Sequence, residues 1–234
     1  MDVAANLAAV QQRIAVACAQ VDRDPADVRL MAVSKTHPPT LVRAAYDAGA
    51  RLFGENRVQE LTDKAEALAG TPDLSWAAIG HLQTNKAKLA AQYASEFHAL
   101  DSAKIAEALD RRLQQESRAL DVFVQVNSSG EEQKYGLDPD DVIAFITRIE
   151  RHQTMRIRGL MTLAVFSADQ EQVAACFATM VQLRDRIRQE TEIGDELSMG
   201  MSGDFELAIQ YGATTVRVGQ AIFGSRLEAD DYWG

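Results

Sequence analysis

Short apolar runs alternate with segments of helical periodicity along almost the whole chain. The first helical segment covers residues 3–19 and places Val10, Ile14 and Ala17 at helical spacing. After a break at Asp24-Pro25, each apolar run predicts a buried strand and is followed by a helical segment. The predicted strands are residues 28–34, 51–53, 75–79, 96–100, 119–126, 156–161, 196–199 and 214–218, and the later helices are predicted at 40–48, 57–69, from 84, 102–116, 139–150, 169–190, 203–211 and 220–227.

This alternation predicts an α/β protein whose strands are parallel and joined by right-handed crossovers. Eight strand–helix units in a chain of 234 residues match the count and size of a (β/α)8 TIM barrel, here with an extra N-terminal helix. A doubly wound open sheet is the alternative. It usually has fewer strands and a glycine-rich first turn, whereas residues 34–38 contain no glycine. No linker or repeat interrupts the pattern, so we expect one domain over residues 1–234.

The composition narrows the functional class. A net charge of −10 and a pI near 4.9 argue against nucleic acid or an anionic membrane as the main partner. The N-terminus lacks the basic and apolar regions of a signal peptide, and no apolar stretch is long enough to span a bilayer. Cys18 and Cys176 give neither a disulfide framework nor metal-ligand spacing. We therefore expect a soluble, cytoplasmic protein with no metal site.

Lys35 is the residue with the most distinctive chemistry. It follows the first predicted strand directly, and Pro38-Pro39 ends that segment. A lysine at the mouth of a buried strand is costly unless its charge is paired, neutralised or used. An amine with a depressed pKa forms a Schiff base with an aldehyde cofactor or a carbonyl substrate. The alternative is a lysine whose ammonium simply reaches water from the strand end.

Polar residues crowd the predicted carboxyl ends of the strands, where the chemistry of such barrels is found. Ser202 with Gly203, and Gly219 with Gln220, each precede a predicted helix, and backbone N–H groups there could bind a phosphate. The alternative is that Ser202 caps a helix and Gly219 allows close packing. Arg217 lies within strand eight and needs a partner, either a carboxylate of a neighbouring strand or a ring nitrogen of a cofactor.

Six segments, in order, resemble the motifs of one family. The chain is similar to the pyridoxal 5′-phosphate (PLP) homeostasis proteins, the YggS/PROSC or PLP-binding-protein family, over nearly its whole length. The segments that carry the resemblance are Ala-Val-Ser-Lys-Thr at 32–36, Phe-Gly-Glu-Asn-Arg-Val-Gln-Glu at 53–60, Ile-Gly-His-Leu-Gln-Thr-Asn-Lys at 79–86, Gln-Val-Asn at 125–127 with Lys134 and Gly136, Leu-Ser-Met-Gly-Met-Ser-Gly-Asp-Phe at 197–205, and Val-Arg-Val-Gly at 216–219 with Ile222, Phe223 and Gly224.

The resemblance implies a barrel like the N-terminal domain of alanine racemase, with PLP bound to Lys35 as an internal aldimine. It further implies that Arg217 faces the pyridine nitrogen and that Asn56 lies beside the ring. The phosphate would be held by Ser202 and by the backbone of residues 219–220, at Gly219 and Gln220.

Some motif residues depart from the family pattern or have no derived role. Gln220 stands where the family more often has Ser or Thr, which bears on phosphate affinity if a hydroxyl is needed there. His37 stands where a basic residue is frequent, and we expect it to be a solvated loop histidine. Glu55 either pairs with a strand-end cation or starts the next helix. Lys86 and Lys134 receive no role.

The resemblance implies a non-catalytic protein that binds PLP, maintains intracellular PLP and vitamin B6 homeostasis, and hands the cofactor to apo PLP-dependent enzymes. One alternative is a PLP-dependent amino-acid racemase. A second is a barrel enzyme in which Lys35 forms a Schiff base with a phosphorylated substrate. Racemases resembling this barrel take an acid–base tyrosine from a second domain, and Tyr135, expected to be a surface residue, is the only tyrosine here near the rim. We therefore expect no turnover, and a monomer.

Overall fold

Eight parallel strands close into a barrel in the order β1 to β8, with β1 paired to β8 as well as to β2. The computed structural model describes residues 2–131, 133–191 and 193–225. The closed parallel barrel confirms the predicted (β/α)8 architecture and excludes the open sheet. The strands are β1 Arg29–Val33, β2 Leu52–Glu55, β3 Ser75–Ala78, β4 Glu96–Leu100, β5 Leu120–Val126, β6 Met155–Thr162, β7 Glu196–Ser198 and β8 Thr215–Val218.

Helices surround the barrel and follow the predicted alternation closely. Two predicted helices open with a 3₁₀ turn: Thr84–Lys86 precedes α4, and Pro139–Asp141 precedes α6. The last helix, predicted over residues 220–227, is shorter than predicted, because it ends at Phe223 and Gly224 turns the chain with a φ of +80°; residues 226 and 227 lie outside the described residues. The α-helices are α1 Val3–Ala19, α2 Pro39–Asp47, α3 Val58–Ala67, α4 Ala87–Tyr93, α5 Ala103–Glu116, α6 Val142–Ile149, α7 Gln170–Glu190, α8 Phe205–Gln210 and α9 Gln220–Phe223.

The extra N-terminal helix is tied to the last strand–helix units. The side-chain amide of Asn6, on α1, donates to the carbonyl oxygen of Ile222 at 3.0 Å. Just beyond α1, the Arg23 guanidinium donates to the carbonyl oxygens of Ile209 and Ala213, both at 2.9 Å. Because these carbonyls lie in α8, in the turn between α8 and β8, and in α9, the helix before β1 packs beside the elements around β8.

Apolar side chains fill the space between the strands and helices, while several inward positions of the barrel are polar. Cys18 and Cys176 are buried and free, as expected of small core residues. On β4, Glu96 and His98 are two residues apart and therefore point to the same face of the strand. Both are buried, so their polar groups must find partners inside the barrel. Among the described residues, no helix combines the length and the apolar character needed to cross a membrane.

Candidate functional site

The carboxyl ends of β1 and β8 bring the predicted site residues to one rim. The two strands pair in parallel, with Met31 opposite Arg217 and Ala32 opposite Val218. Gly219, directly after β8, lies so close to the end of β1 that a Cβ on it would be 3.0 Å from the carbonyl oxygen of Val33. Lys35, two residues beyond β1 and partly buried, thus lies just past the strand that adjoins Arg217 and Gly219.

Arg217 is buried inside the barrel, at 3% exposure, and is held by neutral groups. Its guanidinium donates to the Ser198 hydroxyl at 2.8 Å and to the carbonyl oxygen of Thr162 at 2.7 Å. The expected alternative, a hydrogen-bonded carboxylate from a neighbouring strand, is not found among its described contacts. Burial lowers the pKa of Arg217 to about 10, although the charge of Asp204 opposes this change. The side chain therefore remains a cation at neutral pH.

A chain of hydrogen bonds runs from Arg217 through the barrel toward the starts of the strands. Ser198 accepts from Arg217, and its hydroxyl lies 2.9 Å from Nδ1 of His98. Nε2 of His98 lies 2.7 Å from a carboxylate oxygen of Glu96, and Arg29 donates to both oxygens of that carboxylate. An ionised carboxylate can only accept, so Nε2 carries the proton of the neutral imidazole and Nδ1 accepts from the Ser198 hydroxyl. Burial lowers the pKa of His98, which favours this neutral form.

Ser202 stands over the start of α9. Its hydroxyl oxygen accepts from the backbone N–H groups of Gly219 and Ala221, at 3.3 and 3.4 Å. These two N–H groups therefore converge on one oxygen, as they would on an oxygen of a bound phosphate. The structure differs from the predicted helix start at Gly203, because α8 begins at Phe205 and Ser202 precedes it by three residues.

Gly200 sets the path of the chain toward Ser202. Its φ of +96° lies in the left-handed region, and a Cβ at this position would approach the Cβ of Ala208 to 2.6 Å. Only a residue without a side chain lets the end of β7 pass this close to α8.

The turn after β1 presents Lys35 from a constrained backbone. Thr36 has a φ of +66°, an unusual value for a β-branched residue. Its N–H donates to Oε1 of Glu60 at 2.7 Å. On the other side of Lys35, the Ser34 hydroxyl donates to Oε1 of Glu55 at 2.6 Å. Both neighbours of Lys35 are thus tied to carboxylates of the second strand–helix unit.

The structure resolves two expectations about motif residues and gives Lys134 contacts that the sequence did not predict. The prediction that His37 is solvated is wrong. The residue is buried at 4% exposure, and its ring centroid lies 5.4 Å from that of Phe223. Burial lowers the pKa of His37. Glu55 ends β2 instead of starting a helix, and it pairs with Lys64 of α3. Lys134 links the loops after β5 and β6, because its Nζ donates to the carbonyl oxygen of Ala164 at 3.1 Å and pairs with Glu131.

The other predicted rim residues are accessible. Asn56 directly follows β2, Gln220 opens α9, and both are exposed. A Cβ on Gly80 would lie 2.2 Å from the carbonyl oxygen of Asn56, so glycine lets the loop after β3 approach Asn56. Tyr135 is 61% exposed, as expected, and stacks on the ring of His81 with centroids 4.5 Å apart.

The rim suits PLP in its donor chemistry. It offers an amine at Lys35, converging backbone N–H groups at Gly219 and Ala221, and a buried cation at Arg217. The hydroxyl oxygen of Thr36, beside Lys35, is buried without a hydrogen-bond partner among the described residues. Within the same part of the chain, no cluster of three or more His, Cys, Asp and Glu side chains could hold a metal ion.

Sequence reasoning missed the buried polar residues behind the rim, although one left a visible signal. On α3, Lys64 occupies the helical face of Leu61 and Leu68, three and four residues away, where an apolar side chain is expected. A lysine on that face indicates a buried ion pair. His98 left a weaker signal within the apolar run of β4. Nothing in the periodicity identified Ser198 as the partner of Arg217.

Comparisons with known proteins place these residues in a family. The model of the alanine racemase N-terminal domain matches residues 5–227. A pyridoxal phosphate homeostasis protein of Pseudomonas aeruginosa is 42% identical over 224 residues, or 96% of each chain. The structure of PipY from Synechococcus elongatus with PLP bound is 39% identical, with a TM-score of 0.80 over 90% of this chain and 100% of its own.

A more distant structure shares the fold alone. An alanine racemase of Streptomyces coelicolor is 19% identical, with a TM-score of 0.72, and the match covers 93% of this chain and 58% of the racemase. The homeostasis protein of Aquifex aeolicus, in contrast, is 37% identical over 97% of this chain and 99% of its own. With relatives of this identity matched from end to end, the chain belongs to the pyridoxal phosphate homeostasis protein family, which is built on the alanine racemase N-terminal domain.

Proposed function

We propose that this protein binds PLP covalently at Lys35 and maintains the intracellular supply of the cofactor without catalysing a reaction. The observation that carries the proposal is the common rim, where Lys35 follows β1 and the neighbouring β8 supplies Arg217 and Gly219. The names of the homologues and the PLP-bound state of PipY support the same ligand.

Each predicted residue has a separate part in holding the cofactor. Lys35 would hold PLP through its Nζ, and the aldehyde of the cofactor would supply the carbonyl chemistry for that covalent link. The phosphate would accept from the backbone N–H groups of Gly219 and Gln220, beside the hydroxyl of Ser202. Asn56 would lie beside the ring. Arg217 would donate to the pyridine nitrogen, which would then carry no proton of its own.

The proposed absence of turnover rests on the same residues. Bound PLP supplies an electron sink for reactions at amino-acid carbons, and a protonated pyridine nitrogen strengthens that sink. A guanidinium with a pKa of about 10 is a hydrogen-bond donor that keeps its proton at neutral pH. We propose that the protein, instead of catalysing a reaction, hands PLP to apo PLP-dependent enzymes. We also propose that residues 1–234 form a single barrel domain.

Removing the amine of Lys35 should abolish the covalent complex. We expect PLP to give wild-type protein a new visible absorbance band that Lys35→Ala lacks and that Lys88→Ala, an exposed lysine of α4, retains. Reduction with borohydride followed by mass spectrometry should find the pyridoxyl group on Lys35. A band of equal strength in Lys35→Ala, or no band in either protein, would contradict the proposal.

The racemase alternative makes a separate prediction. We expect PLP-loaded wild-type protein to racemise amino acids no faster than free PLP does, because Tyr135 is exposed and stacked on His81 instead of poised as an acid or base. Chiral chromatography of alanine and serine after incubation measures this directly. Enzyme-like racemisation that disappears in Lys35→Ala would show a catalyst.

A further inference from the structure

A buried cluster of one lysine and two glutamates lies behind the turn that carries Lys35. Lys64 of α3 is only 2% exposed, and Glu55 at the end of β2 is fully buried. Glu60, one helical turn before Lys64, has a side chain that is 10% exposed. None of the three is among the residues expected to touch PLP, so their burial needs another explanation.

Lys64 uses its whole hydrogen-bonding capacity within this cluster. Its Nζ lies 2.7 Å from Oε1 of Glu55, 2.7 Å from Oε1 of Glu60 and 2.7 Å from the carbonyl oxygen of Ser34. An ammonium has three N–H groups, and three acceptors therefore saturate it. One of the three is a backbone atom of the residue before Lys35.

The contacts reach both sides of Lys35. Ser34 is held at two atoms, because its carbonyl oxygen accepts from Lys64 and its hydroxyl donates to Glu55. Thr36 is held by its N–H, which donates to the same oxygen of Glu60 that Lys64 binds. Lys35 thus lies between two residues that one ion cluster fixes.

The backbone at Thr36 explains why such a hold is needed. A φ of +66° disfavours a threonine, and a free turn would relax to another conformation. That relaxation would redirect the side chain of the preceding residue. The hydrogen bond from the Thr36 N–H to Glu60 opposes it directly.

We propose that Lys64, Glu55 and Glu60 are positioning residues that hold the 34–36 turn in the conformation from which Lys35 captures PLP. The inference rests on the proposed function in that Lys35 is taken as the residue that holds the cofactor. Its physical core, the hold on the turn, is a property of the protein without PLP and can be measured there.

Two substitutions of Glu60 separate the hold on the turn from the loss of charge. Glu60→Gln removes the charge but keeps a carbonyl oxygen that can accept from Thr36, whereas Glu60→Ala removes both. Asp63→Ala is the matched control, because Asp63 is an exposed carboxylate of α3 that accepts from Gln59. PLP titration by visible absorbance should give Glu60→Ala a Kd about tenfold or more above wild type, and Glu60→Gln and Asp63→Ala a Kd within about threefold.

Hydrogen exchange without PLP supplies the second readout. We expect NMR to find the Thr36 amide at least about 100-fold protected in wild type and Glu60→Gln, and exposed to exchange in Glu60→Ala. Wild-type affinity in a folded Glu60→Ala would overturn the positioning role. Should Glu60→Ala not fold, an unprotected Thr36 amide in wild type would overturn it, and a protected one would support it.

Failure of the proposed function gives a different pattern. In that case the wild-type protein shows no band with PLP, or Lys35→Ala keeps the band, while the exchange of the Thr36 amide still reports whether the cluster holds the turn.

Discussion

Replacing Lys64 with methionine should lower the free energy of unfolding by about 3–5 kcal/mol at pH 7.5. Methionine matches the length and volume of lysine, so the core loses little packing. Methionine lacks the positive charge of Lys64, whose Nζ lies 2.7 Å from a carboxylate oxygen of Glu55 and 2.7 Å from one of Glu60. Two carboxylates would then share a site from which water is largely excluded. Urea unfolding followed by circular dichroism measures the difference.

The loss should depend on pH in a defined direction. Burial raises the pKa of Glu55 even in the presence of Lys64, which opposes this shift. Without Lys64 the folded protein favours the protonated form of Glu55 more strongly. A carboxyl with a raised pKa in the folded state contributes stability that is present below its unfolded pKa and lost as the pH rises. The difference in the free energy of unfolding between wild type and Lys64→Met should therefore become smaller as the pH falls toward 4.5.

Two further variants show whether the charge is responsible. Lys88→Met alters an exposed lysine of α4 and should change the free energy of unfolding by less than about 0.5 kcal/mol. Adding Glu55→Gln to Lys64→Met removes one of the two unpaired buried carboxylates, and it should restore part of the lost free energy of unfolding. If Lys64→Met matched wild type within about 1 kcal/mol at pH 7.5, the buried ion cluster would have no strong role in stability.

The sequence predicted the elements of the barrel well, because each depends on a local pattern. The bounds predicted for α1 and β4, residues 3–19 and 96–100, are those observed. Chain order then fixes the rim, since the carboxyl ends of parallel strands all meet there. Lys35, Arg217 and Gly219 could accordingly be predicted to lie at one end of the barrel without knowledge of any contact.

The buried polar contacts could not be predicted in the same way. Ser198 meets His98 from a position 100 residues away, and Arg29 meets Glu96 across 67 residues. Whether such residues lie level with each other depends on strand register and barrel closure, which periodicity does not encode. His37 shows the same limit: its polarity suggested solvent, but the contact with Phe223 buries it.

The hydrogen bonds that join Arg29, Glu96 and His98 should contribute strongly to the stability of the folded protein. We expect Glu96→Gln to lower the free energy of unfolding by about 3 kcal/mol at pH 7. Hydrogen bonds from His98 and Arg29, which outweigh the effect of burial, lower the pKa of Glu96 from 4.5 to about 2. A shift of this size means that folding favours the carboxylate over its neutral form by about 3 kcal/mol more than the unfolded chain does. Glutamine resembles the neutral form.

The sign of the pH dependence distinguishes this effect from a general loss of packing. A carboxyl whose folded pKa is lowered contributes stability above its unfolded pKa, and this contribution is lost as the pH falls through the folded value. The difference in the free energy of unfolding between wild type and Glu96→Gln should thus be largest at pH 7 and become smaller as the pH falls from 4.5 toward 2. Urea unfolding at a series of pH values measures it.

A neighbouring carboxylate provides the matched control. Asp121, the second residue of β5, lies directly opposite Glu96 and pairs with Arg156 at 2.6 Å, but the arginine side chain is 64% exposed. An ion pair this open to water contributes little, so Asp121→Asn should cost less than about 1 kcal/mol at pH 7. Equal losses for Glu96→Gln and Asp121→Asn would contradict the special role of Glu96. A gap for Glu96→Gln that stayed constant down to pH 3 would locate its origin in packing instead of in the buried charge.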